Sequence, residues 1–78
     1  MAVMTKEEFV QHVKSDTLPM YRLAYSILQN SADAEDAVSE AIVHAYEKLD
    51  TLKKADSFRN WILQIAANEA KKIYRQNK

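Results

Sequence analysis

The 78-residue sequence contains no glycine, no cysteine and a single proline, Pro19. Without glycine there is no Gly-rich loop to cradle phosphates. The Asn-Gly and Asp-Gly pairs that make tight hairpins are missing with it. Without cysteine there are no disulfides and no thiolate metal sites, which fits a reducing, cytoplasmic setting. No apolar run approaches the about 18 residues needed to cross a bilayer. The opening MAVMTKEEFV has no basic stretch leading into an apolar one, as a signal peptide requires. A chain of this length forms one domain with a small core, burying about 60% of its unfolded surface. What remains is rich in Ala, Leu, Lys and Glu, all good helix formers. The expected fold is all-α, a compact bundle of three to four helices over residues 1–78.

The first helix opens at Thr5, where TKEE sets Glu8 three residues on in a capping-box pattern. Phe9, Val10 and Val13 form its apolar stripe. Ser15–Thr17 and Pro19 predict an interruption, with a second helix starting near Asp16 or Thr17 and running to about Gln29; one kinked helix is the alternative. Ser31 or Asp33 is the expected cap of the next helix, 33–50. There Ala34, Ala37, Val38, Ala41, Ile42, Ala45, Tyr46 and Leu49 keep a helical period, and the four alanines make a narrow face. Residues 50–57 read as a polar loop, and Ser57 or Asp56 caps a last helix of about 58–76. Its core stripe is Phe58, Trp61, Ile62, Ile65, Ala66, Ala70 and Ile73.

The zero formal net charge hides a strong separation. Residues 31–50 carry six acids against Lys48, a net of −5, and residues 51–78 carry seven bases against Asp56 and Glu69, a net of +5. Such asymmetry fits two differently charged partners or two helices that complement each other. Asp36, Glu40 and Glu47 share one helix face, which is either a solvated surface or a docking surface for a basic protein. In the basic segment Asn60, Gln64 and Asn68 recur every four residues among lysines and arginines. Basic groups attract phosphate and amides hydrogen-bond base edges. Tyr74 is a possible stacking residue, whereas Trp61 fits the core.

Catalysis finds no support. His12 and His44 do not sit in a complete ligand spacing, and His44 reads as a packed residue beside the core stripe. Asp36 and Glu40 offer two carboxylates, but the Glu-x-x-His pattern of di-metal bundles is missing. No enzyme activity, metal or cofactor is expected.

The strings DAEDAVSEAIVHAY and SFRNWILQIAANEAKKIYRQ, separated by a short polar loop, resemble region two of bacterial sigma factors, and the extracytoplasmic-function (ECF) group in particular. The resemblance spans about residues 18–78 and rests on the acidic AED and on Phe58, Trp61, Ile62, Ile65, Ala66 and Asn68, with Lys71, Lys72 and Arg75 after them. It implies a transcription initiation factor domain that docks on the clamp coiled coil of the RNA polymerase β′ subunit. Asp33, Asp36, Ser39 and Glu40 fall where the docking residues lie. It also implies recognition and melting of the promoter minus-ten element, with the non-template strand held by Lys53, Lys54, Asp56, Ser57, Arg59, Asn60, Gln64, Asn68, Lys71, Lys72 and Arg75. A membrane-anchored anti-sigma factor is a further implied partner; insertion of the chain itself into membrane is not expected. Ser39 stands where the family has Gln, Ile42 and Tyr46 replace its Phe and Trp, and the loop lacks the family's glycine. The uncapped end YRQNK suggests that a linker follows, and the helix-turn-helix domain of the family is not in this chain. The alternative is an interaction module that binds polymerase or an anti-sigma factor without DNA.

Overall fold

The computed structural model describes residues 3–77. Lys78, counted above with the basic segment, lies outside them. Helix formation begins at Thr5. Its hydroxyl accepts the Glu8 N–H at 3.1 Å, and the Glu8 carboxylate accepts the Thr5 N–H at 2.7 Å, which completes the expected capping box. From there α1 (Lys6–Leu28) runs without a break through Pro19.

The second helix expected after the Ser15–Thr17 stretch is therefore the continuation of the first. Proline removes one backbone donor, so the Ser15 carbonyl loses its partner. Ser15 is exposed, and water can serve that carbonyl. On the inner side Asp16 and Met20 are buried and hold the segment against the other helices. Val10, assigned above to the apolar stripe, is 47% exposed; Phe9 is the buried member of that pair.

Gln29 ends α1 in the left-handed conformation, with φ 53° and ψ 34°, and donates its N–H to the Tyr25 carbonyl at 2.7 Å. Glycine normally fills this position; a β-carbon there costs about 1 kcal/mol. Asn30, rather than Ser31 or Asp33, caps α2 (Ser31–Glu47), its side-chain oxygen accepting the Asp33 N–H at 2.9 Å. The helix starts and stops earlier than 33–50, because Leu49–Thr51 tighten into a 3-10 turn. Ala34, Ala37, Ala41 and Ala45 are fully buried. Their small side chains let α2 lie close to both neighbours.

Leu49 and Leu52 turn inward and anchor the connection between the last two helices. Ala55–Ser57 form a second 3-10 turn that leads directly into α3 (Phe58–Gln76). That turn satisfies the Phe58 N–H with the Ala55 carbonyl, and the side-chain cap expected from Ser57 is not made.

The three α-helices pack pairwise around Met20, Phe58 and Ile62, the largest fully buried side chains. Burial of each contributes about 1.5–3 kcal/mol. Phe58 is the hub, with the rings of Phe9 and Trp61 each at 5.8 Å and that of His12 at 4.9 Å. Trp61 is only partly buried and packs at the core's edge. Tyr46 leans edge-on against Phe9 at 5.5 Å while remaining 45% exposed. Among the described residues there is no strand, and no helix is long and apolar enough to cross a membrane.

Candidate functional site

The separation of charge along the chain becomes a separation in space. The acids lie on α2 and the bases on α3 and the segment before it, and the two helices pack side by side. Of the four residues expected to dock on a protein, Asp36, Ser39 and Glu40 are exposed. Asp33 is half-buried, and its carboxylate accepts a hydrogen bond from the Asn77 side chain at 2.9 Å, which ties it to the end of α3. Ser39 sits apart from the two neighbouring acids. It lines a groove between α1 and α2 with Lys14, Leu18, Tyr21, Val38 and Ile42. Asp36 and Glu40 line the cleft between α2 and α3 with Glu69, Lys72, Ile73 and Gln76.

All eleven residues expected to face nucleic acid are exposed, but they are spread over four places. Lys53, Lys54, Ser57, Asn60 and Gln64 share one pocket with Thr51, Leu52 and Trp61. Leu52 and Trp61 in its lining are apolar and Lys53 and Lys54 are basic, so it combines an apolar surface with positive charge. Asn60, Gln64, Asn68, Lys71 and Arg75 follow in a row along α3, spaced three or four residues apart. Gln64 donates to the Asn68 side-chain oxygen at 3.3 Å, aligning two amides of that row.

The other three lie elsewhere. Lys72 lines the cleft between α2 and α3 together with Asp36, Glu40 and Glu69. Asp56 and Arg59 line a pocket beside α1, with His12, Ser15 and Asp16. There Arg59 Nε donates to Asp16 Oδ1 at 2.9 Å. The Asp16 side chain is 5% exposed and that of Arg59 60%, so the pair has one buried end and one wet end.

Two polar contacts carry more than their sequence positions suggest. Asp16 was assigned to a helix interruption, yet it is buried and bonded to α3. Glu69 was counted only as an acid in a basic segment, yet it is buried and lies 2.6 Å from His44 Nδ1 on α2. Each is a lone acid on an apolar row, with Met20 four residues after Asp16, and Ala66 and Ile73 flanking Glu69. That pattern signals a partner on another helix, because a buried carboxylate needs one. Among the described residues, one donor atom each of Glu40, His44 and Glu69 lies within 4.8 Å of the other two, from two helices.

The family model for sigma-70 region 2 matches residues 13–78. The chain belongs to that family. Among curated proteins this region 2 chain is 30% identical over 74 residues to the RNA polymerase sigma factor SigV of Bacillus subtilis, covering 95% of this chain and 45% of that protein. It is 37% identical over 49 residues to the ECF sigma factor SigW of Bacillus subtilis, covering 63% of this chain and 26% of that protein. It is 42% identical over 41 residues to the ECF sigma-E factor of Escherichia coli strain K12, covering 53% of this chain and 22% of that protein. The chain thus spans less than half the length of each of these relatives. No solved structure matches it significantly. Region 2 of an ECF sigma factor is the resemblance that the strings around Asp36 and Trp61 carry, and the matches agree with it.

Proposed function

We propose that this region 2 domain works in transcription initiation as a non-catalytic adaptor between RNA polymerase and promoter DNA. Its α2 face, through Asp36, Ser39 and Glu40, docks on the clamp coiled coil of the β′ subunit. Its α3 row and the pocket beside Trp61 receive the opened non-template strand of the minus-ten element. A membrane-anchored anti-sigma factor that covers these surfaces would hold the domain inactive.

The observation that carries the reading is the pocket formed by Lys53, Lys54, Ser57, Asn60, Trp61 and Gln64, which opens onto the amide and basic row of α3. A base turned out of its stack needs an apolar wall, hydrogen-bonding groups and nearby positive charge. The pocket supplies all three. Extrusion costs a few kcal/mol, and these contacts offset it. Exposed acids on the adjacent helix leave the protein-facing surface free while DNA is bound.

Titration of a single strand carrying the minus-ten segment, in the presence of polymerase core, tests this. Binding that weakens in Asn60→Ala and in Lys53→Ala supports the pocket. Equal binding by both variants and the unmodified chain rejects it.

One observation favours the interaction-module reading. Lys72 lines the cleft of Asp36, Glu40 and Glu69 and not the pocket beside Trp61, so that pocket has one cation fewer than the sequence offers. Under that reading polymerase binding persists and single-strand binding is absent even in the complex.

A further inference from the structure

Glu69 is a carboxylate on the buried face of α3, 8% exposed. Its Oε2 lies 2.6 Å from Nδ1 of His44, which belongs to α2. One helical turn before His44 stands Glu40, also on α2. One donor atom from each of these three residues lies within 4.8 Å of the other two. We propose that Glu40, His44 and Glu69 form a binding site for a divalent transition metal of the zinc class.

The donor set argues for that class. Imidazole with carboxylates suits zinc and its neighbours, whereas magnesium prefers an all-oxygen shell and keeps its waters. Bonds of about 2.0–2.2 Å in a tetrahedral site put neighbouring donor atoms about 3.4 Å apart. The His44–Glu69 contact therefore opens by less than about 1 Å to admit an ion. Glu40 is exposed and closes the remaining gap by a change of side-chain rotamer. The ion takes the place of the direct hydrogen bond between the His44 ring and the Glu69 carboxylate. Asp36 lines the same cleft and is within the same helical row as Glu40, where it can accept a bond from an ion-bound water.

Two features separate this site from a chance group of surface acids. Its donors come from two helices, and one of them is a buried carboxylate held in place by a direct bond. An ion here would staple α2 to α3 and raise the melting temperature, because it binds only the folded chain. Lys72 lines the cleft and opposes a cation, which keeps the affinity moderate. Where the docking proposal holds, the ion also draws Glu40 away from the docking face and lowers polymerase affinity. That consequence rests on the docking reading. Metal binding itself does not, and it is measured on the chain alone.

The test is calorimetric titration of the 78-residue chain with Zn²⁺ and with Mg²⁺ at neutral pH, alongside thermal melting. The expected result is one saturable Zn²⁺ site, a higher melting temperature with Zn²⁺, and no saturable Mg²⁺ binding. Affinity should fall at least about tenfold, the equivalent of about 1.4 kcal/mol, in Glu40→Gln and in His44→Ala. It should be unchanged in His12→Ala, the other histidine. Glu40 is exposed, so Glu40→Gln reports on the ion even where His44→Ala weakens the fold. Absence of a saturable Zn²⁺ site overturns the proposal. So does a site that survives Glu40→Gln at full affinity, or one that is lost in His12→Ala.

Discussion

Arg59 in the first turn of α3 donates from Nε to the buried carboxylate of Asp16 in the middle of α1, at 2.9 Å. This bond joins two residues 43 positions apart and sits three residues before Pro19, where α1 lacks a backbone donor. It fixes the helix that carries the amide and basic row relative to the rest of the bundle. Arg59→Met should leave Asp16 buried without a cation. The pair is partly wet, so the loss should be about 1–2 kcal/mol, below that of a fully buried pair. A urea unfolding curve checks this, and an unchanged midpoint would mean that the bond contributes nothing.

The left-handed Gln29 gives a change in the other direction. Glycine carries no β-carbon and accepts φ 53° without strain. Gln29→Gly should stabilise the domain by about 1 kcal/mol, which raises the melting temperature by about 4–8 °C in a domain of this size. A lower melting temperature would show that the Gln29 side chain contributes more than its backbone costs.

Phe58 and Trp61 should separate under truncation. Phe58 is 1% exposed and meets three other rings, so Phe58→Ala should cost about 3–5 kcal/mol. Trp61 lies at the edge of the core and lines the pocket with Lys53 and Lys54. Trp61→Ala should cost about half as much and also weaken single-strand binding. Equal destabilisation in urea, with strand binding intact, would return Trp61 to a purely structural role.

Much of the architecture was legible because apolar period and helix caps are local signals. The capping box at Thr5 and Glu8 and the alanine face of α2 were readable from spacing alone. What local reading lost were consequences of packing. Pro19 looked like a boundary because its cost is local, whereas the burial of Asp16 and Met20 that overrides it is not. Ser57 looked like a cap, but a 3-10 turn already serves the backbone there. The pairings Asp16–Arg59 and His44–Glu69 join different helices, and no spacing within one helix predicts them. The family strings pointed to α2 and α3 as the helices of the candidate site. They did not reveal that Arg59 bonds Asp16 of α1, or that Lys72 lines the cleft with Asp36, Glu40 and Glu69.

The place of Lys72 beside three carboxylates sets a prediction for salt dependence. Each phosphate neutralised on a single strand contributes a slope of about −0.7 in log K against log salt. Lys71→Ala with Arg75→Ala should flatten the slope by about 1.4. Lys72→Ala should flatten it less, because the carboxylates of Asp36, Glu40 and Glu69 line its cleft. Fluorescence titrations of a labelled strand across a salt series measure both. An equal or larger effect of Lys72→Ala would place it on the nucleic-acid face after all.

The docking proposal puts the exposed acids of α2 on the polymerase-facing surface of this region 2 domain. Titration of the chain with the purified β′ clamp coiled coil, beside Glu40→Lys, tests it most directly. Saturable binding by the unmodified chain and a marked loss in Glu40→Lys are expected, with both proteins equally helical by circular dichroism. No binding by the unmodified chain, or equal binding by both, would contradict it.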